Sequence, residues 1–189
     1  MLVTLNVQGI GPEAATQPET ALHGRDAHGR YTYGGGLSRV LDMLRRQGIR
    51  ATLFWPVFEA ERCRDLLEQS LRDGHEAASQ GNAFEDLSTL GDREAEVLER
   101  ARDRLARLTG AAPQGFRYTS SAFSASTVPL LRQLGYRYDS SAIDDDAPYA
   151  LDGDGGAGMV ELPWSEGLCD ATHFLSLIHI SEPTRLRRI

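Results

Sequence analysis

The sequence predicts an α/β fold, a partial (β/α) barrel, from three observations. Short runs of β-forming residues alternate with longer stretches of helical periodicity. Glycines follow several of those stretches as stops. Six strands come out in this order with helices between them, the pattern of βα units around a parallel sheet. With 189 residues, 41% of them hydrophobic, the chain is long enough for one domain with a sizeable core.

Leu2 to Val7 alternates and is rich in β-formers, which predicts the first strand. Gly9 to Gly36 is a long polar segment, longer than an ordinary connection, and segments of this kind are binding loops or disordered. Leu37, Val40, Leu41 and Leu44 fall at helical spacing, with Gly48 as the stop. Ala51 to Trp55 is the second strand. Phe58 to Leu71 is one helix with Leu66, Leu67 and Leu71 on one face, stopped at Gly74. His75 to Ser79 is the third strand. Asp92 is expected to cap a long helix through Leu108, laced with pairs such as Glu96–Arg100 on a solvated face. Gly115 to Tyr118 is the fourth strand. Ser124 to Leu134 is a helix capped by Ser124, with Pro129 as a kink. Tyr136 to Asp139 and Met159 to Pro163 are the fifth and sixth strands. In such an architecture function sits on the loops at the C-terminal ends of the strands.

A net charge of −7 argues against nucleic acid as a partner. The run Asp144-Asp145-Asp146 is explained as well by a solvated loop as by a site. No apolar run approaches the ~18 residues that span a membrane. The start carries no basic segment of a secretory signal, so a cytoplasmic location is expected. Cys63 and Cys169 make no disulfide framework, and Cys63 reads as a packing residue. The glycines at 34, 35 and 36 lack a nucleotide-binding context. No nucleophile elbow is present.

The end of the chain differs in kind. All 20 basic residues are arginine, and three of six isoleucines fall in the last 15 residues. Leu175 to Arg185 resembles the in-frame translation of a transposase-type sequencing adapter. Residues 1–174 are therefore expected to form the natural domain, cut near Phe174, and residues 175–189 a non-native tail whose His179 takes no catalytic role.

The stretch Gly74-His75-Glu76-Ala77-Ala78-Ser79-Gln80-Gly81-Asn82-Ala83-Phe84-Glu85-Asp86 resembles the second motif of the NodB-type polysaccharide deacetylases. Leu5-Asn6-Val7-Gln8-Gly9, Gly115-Phe116-Arg117, Tyr138-Asp139-Ser140-Ser141 and Val160-Glu161-Leu162-Pro163-Trp164 resemble further strand ends of that family. The resemblance covers residues 1–174 and implies the family's barrel and a hydrolase. It also implies that metal ligands belong where Gln80 and Phe84 stand, and a general base and a third ligand where Val7 and Gln8 stand. None of these four side chains suits a divalent metal. The family's catalytic histidine on a later strand is expected beyond Phe174.

Arg117 is the candidate to polarise a carbonyl oxygen or orient a carboxylate, and a buried structural salt bridge is the alternative. The candidate catalytic set is Arg117, Glu76, Asp86 and Glu161; Asp86 reads first as the cap of the next turn, and as a base only if burial raises its pKa. Gln8, Gln80, Phe84, Tyr118 and Trp164 are candidate substrate-binding residues, Trp164 as a flat surface for a ring. His75 and Asp139 read as hydrogen-bonded scaffold. No metal and no cofactor is expected. The missing ligands, Tyr33-Gly34, Ala-Ser-Gln-Gly and Phe-Glu-Asp resemble the metal-independent, allantoinase-like branch. Two functions follow as expectations. One is a hydrolase of carbon–nitrogen bonds acting on a small amide, ureide or N-acetyl sugar. The other is a binding domain of the same fold without catalysis.

Overall fold

The computed structural model describes residues 2–14, 17–24, 29–118, 123–151, 158–165, 167 and 169. Among them, seven strands form one sheet: β1 (Thr4–Asn6), β2 (Thr52–Trp55), β3 (Glu76–Ser79), β4 (Gly115–Phe116), β5 (Tyr138–Asp139), β6 (Tyr149–Leu151) and β7 (Met159–Glu161). The order is β1-β2-β3-β4-β5-β7-β6, parallel throughout except for the antiparallel pairing of β6 with β7. Sequential parallel strands side by side are the winding of a (β/α) barrel. Here the sheet is open, with β1 and β6 at its edges.

Register fixes the two faces. Thr4 pairs with Thr52 and Thr52 with Glu76; Asn6 pairs with Phe54 and Phe54 with Ala78. Gly115 pairs with Tyr138, and Tyr138 with Val160. Side chains alternate along a strand, so these residues share one face, and Leu53, Trp55, Phe116, Asp139 and Glu161 share the other. The second face packs on helices. Val7, Leu53 and Trp55 are buried with Leu41 and Leu44 of α2 (Leu37–Arg46), Val57 of α3 (Val57–Arg62), Leu67 of α4 (Arg64–Arg72) and Leu105 of α5 (Glu94–Thr109). Phe116 and Met159 are buried with Leu98 and with Leu131 of α6 (Thr127–Gln133). Each fully buried leucine contributes about 1.5–3 kcal/mol, so this layer holds the strands at fixed register.

The first face is concave. Arg117, just past β4, donates from Nη1 to Thr4 Oγ1 at 2.9 Å and to Asn6 Oδ1 at 3.3 Å on β1. In a flat sheet three strand spacings, about 14 Å, would separate those strands. The contact exists only because the sheet curls.

Several sequence expectations change. Tyr149–Leu151 is a seventh strand beyond the six expected; three residues at an antiparallel edge are too short for a periodic signal. The helix expected over Phe58 to Leu71 is two, broken at Cys63, whose φ −116° and ψ 51° are not helical. Burial pushes the Cys63 thiol up to about 12, in keeping with its packing role. The long polar segment from Gly9 holds α1 (Gly11–Ala14), a 3₁₀ turn at Glu19–Ala21 and a wide turn at Thr32–Gly36. Asp92 lies in a separate 3₁₀ turn and makes no cap bond to α5, which ends instead at left-handed Gly110. Ser124 sits ahead of α6 and accepts the Ser126 N–H, while Pro129 falls in the first turn, where a missing N–H costs nothing.

Gly115 is a position of close approach: a Cβ there would lie 1.9 Å from Tyr138 Cζ. Gly115→Ala is expected to displace that ring and cost about 1–3 kcal/mol. An unchanged melting temperature would contradict this packing.

Candidate functional site

Arg117 is the centre of the concave face. Its Nε donates to the Ser140 carbonyl at 2.7 Å and its Nη2 to Ser140 Oγ at 2.6 Å, in addition to the two bonds from Nη1. The guanidinium lies 4.1 Å over the Phe54 ring and 6.0 Å from that of Trp164. Four strands thus fix one planar cation, and cation–π contact with Phe54 adds to its hold. Among the described residues Arg117 has no ion pair within reach; the ion pairs present are elsewhere. The sequence alternative of a buried salt bridge is replaced by neutral acceptors. Burial lowers its pKa to about 10, with Tyr138, Asp139, Glu161 and Cys169 acting the other way, so it stays charged at neutral pH.

Gln80 follows β3 on the strand beside Arg117 and, by the same alternation, on the same face. It is fully buried, and neither Oε1 nor Nε2 has a partner among the described residues. Phe84 takes a left-handed φ of 66°, uncommon for a bulky residue, and its ring lies against Gly11. Gln8 is exposed, and its carbonyl accepts the Thr32 hydroxyl. Val7 is buried in the helix-facing layer. These donors do not fit a divalent metal: one apolar side chain, two amides and a phenyl ring hold no anionic or imidazole ligand. Among the described residues no group of three His, Cys, Asp or Glu side chains is arranged to hold one.

The carboxylates of the predicted catalytic set are not brought together. Glu76 is on the concave face and accepts Thr52 Oγ1 at 2.7 Å. Tyr138 senses both it and Arg117: burial first, then the charge of Glu76 and a hydrogen bond to it, pushes the phenol up, while Arg117 acts in the opposite sense. Asp86 accepts the Ser88 N–H and hydroxyl as the cap of the turn Leu87–Thr89, the first of its two sequence readings. Glu85 is held by Asn82 and the Ala83 N–H. Glu161 lies across the sheet from Arg117. It pairs in register with Asp139, both are buried, and its Oε1 accepts the Ala142 N–H at 2.9 Å. Burial and then the charge of Glu161 raise the Asp139 carboxyl to about 8.

Tyr118 is also on the far side, stacked on Phe116 at 6.1 Å, with its hydroxyl buried and unpaired. Trp164 lines a surface cleft of about 550 Å³ with Ile143, Asp144, Asp145, Asp146, Ser165 and Gly167. His75 is scaffold, its Nδ1 accepting the Ala51 N–H at 3.1 Å.

Two residues escaped the sequence reading. Asn6, not Val7, faces Arg117, so the β1 side chain at this point is an amide. The strand's alternation, with Leu5 and Val7 as its apolar positions, was the available signal. Glu59 is fully buried on α3. Its Oε1 accepts the N–H groups of Gly9 at 3.0 Å and Gly11 at 2.8 Å, and its Oε2 the Tyr33 hydroxyl at 2.5 Å. It staples the segment after β1 to the loop after β2. Nothing in the helical pattern of residues 57–62 distinguishes it from a solvated glutamate.

Comparison with known proteins gives a consistent result. The sequence profile described as "Polysaccharide deacetylase" matches residues 31–138. A peptidoglycan deacetylase of Helicobacter pylori is 29% identical over 116 residues, 60% of this chain and 40% of that protein. A crystal structure described as a candidate polysaccharide deacetylase from Mycobacterium smegmatis superposes with a TM-score of 0.82 at 33% identity, covering 90% of this chain and 60% of that one. The structure of Puue allantoinase gives 0.71 at 25% identity over 87% of this chain and 61% of that one. The chain spans about two fifths of the length of the curated relatives it matches.

Proposed function

The chain belongs to the polysaccharide deacetylase family, and from that premise we propose that it is part of a hydrolase of carbon–nitrogen bonds other than peptide bonds that works without the family's metal. One observation carries the reading: a guanidinium fixed on the concave face, from a residue just past β4, with no carboxylate bonded to it among the described residues. Placed there, the positive charge of Arg117 stabilises, through its field, the oxyanion that develops when water attacks an amide or ureide carbonyl. Glu76 is the carboxylate described on the same face. It is the candidate base for that water, held by the Thr52 hydroxyl and in contact with the Tyr138 phenol. Trp164, 6.0 Å away, offers the ring surface for the substrate.

A second reading is a binding domain without turnover. It is favoured by the local donors that occupy Glu85, Asp86 and Glu161, and by the amide of Asn6 beside Arg117.

Turnover of ureides and N-acetyl sugars by the protein is the test. Activity is expected, unchanged by EDTA. Arg117→Met is expected to lower kcat/KM by about 10²–10³, the effect of losing one oxyanion donor. A loss in EDTA that zinc restores would overturn the metal-free mechanism. Absence of turnover on every amide class would favour the binding domain. Glu76→Gln with undiminished turnover would remove Glu76 from the mechanism.

A further inference from the structure

We propose that the concave face binds an anionic group and that the substrate is a small amide bearing a carboxylate, rather than a neutral N-acetyl sugar. The inference rests on reading this face as the substrate site.

A buried cation is costly unless an anion or strong acceptors complete it. Arg117 has five N–H donors. Four are used, by the Ser140 carbonyl, Ser140 Oγ, Thr4 Oγ1 and Asn6 Oδ1, and every acceptor is neutral. One N–H on Nη2 is left. Next to it in the sheet, Gln80 is buried with both ends of its amide unpaired, so its Nε2 is a second donor without an acceptor. An orphaned donor beside an unneutralised cation calls for a charged acceptor, and a carboxylate offers two oxygens that accept from both. Thr4 and Asn6, which border the guanidinium, are exposed while Arg117 itself is buried, so a ligand reaches the cation past these two residues. The acidic side chains Asp139 and Glu161 are on the opposite face of the sheet, where the Ser141 hydroxyl and the Ala142 N–H donate to them. Neither is bonded to Arg117.

Asn6 is the specificity-determining residue in this scheme. An aspartate there would neutralise Arg117 within the protein and repel an incoming carboxylate. The amide holds the guanidinium through Oδ1 and leaves its charge for the ligand.

The test is a calorimetric titration of the full chain with sodium N-acetylglycinate and with the neutral N-acetylglycinamide. The anion is expected to bind at least about tenfold tighter, equivalent to about 1.4 kcal/mol. Arg117→Met is expected to abolish that preference. Asn6→Asp, which keeps an acceptor for Arg117 and therefore the fold, is expected to abolish it too, with an unchanged circular dichroism spectrum. Equal affinity for the two probes, or a preference that survives Asn6→Asp in a folded protein, overturns the proposal. Hydrolysis assays on the same probes separate it from the functional reading. Turnover of the neutral amide with no preference for the anion leaves the hydrolase standing and sinks this inference. Tight anion binding without turnover of any amide does the reverse.

Discussion

Glu59→Ala is expected to lower the unfolding free energy by about 3–5 kcal/mol, measured by urea denaturation. The carboxylate is fully buried and accepts from Gly9, Gly11 and Tyr33. Truncation leaves two backbone N–H groups and a phenol facing an apolar cavity, and each buried unsatisfied donor costs about 1–3 kcal/mol. Tyr33 also gives up the partner that, after burial, most raises its pKa. Its near-ultraviolet titration is therefore expected to move to lower pH in the variant. Glu59→Gln should lose less, because one oxygen still accepts from Gly9 and Gly11. A loss below about 1 kcal/mol for the alanine variant would show that the segment after β1 is held by other contacts.

Asp139→Asn is expected to stabilise the protein at alkaline pH and to flatten its dependence of stability on pH. The Asp139 carboxyl titrates near 8 in the folded chain, raised by burial and by Glu161, against about 3.9 when unfolded. Between those values the folded state holds a proton that the unfolded state has released. Stability from this group is therefore greatest below about pH 4, falls as pH rises to about 8, and is level above that. Asparagine keeps an acceptor for the Ser141 hydroxyl, which donates to Asp139 Oδ1 at 2.8 Å, and offers Glu161 a donor in place of the shared proton. The variant should gain about 2–4 kcal/mol relative to the parent between pH 5 and pH 9. A stability difference that stays constant over that range would show that Asp139 is ionised throughout.

Much of the fold was legible because hydrophobic periodicity acts locally. Leu37 to Leu44, Thr52 to Trp55 and the helix through Leu105 each announce a buried face in a few residues. What escaped depends on partners distant in sequence. Cys63 breaks a helix whose apolar spacing is continuous. Tyr149–Leu151 becomes a strand only because Met159–Glu161 lies beside it. The candidate site divides on the same line. Arg117 was identifiable from the resemblance of Gly115-Phe116-Arg117 to a family motif after a strand. That Glu161 and Tyr118 face away from it follows from a one-residue parity, since a strand's side chains change face at every step. The same parity puts Asn6 rather than Val7 beside Arg117. Glu59 carries no local mark, because its donors come from residues 26–50 positions away.

The reach of Arg117 to Thr4 and Asn6, over 113 and 111 positions of sequence, bears on the order in which the chain assembles. Closing a free loop of that length costs about 4 kcal/mol of chain entropy, before any constant term. The sheet divides this cost, because β1 to β5 are neighbours in chain order and each pairing closes only its own connection, the longest being residues 7–51. By the time β4 docks, its distance to β1 along the folded scaffold is three strands instead of a hundred residues. The guanidinium bonds exist only if every pairing from β1 to β4 is in register. A one-residue slip anywhere from β1 to β4 would turn Asn6 or Arg117 to the other face. In that sense the cation acts as a checkpoint on the register of the sheet.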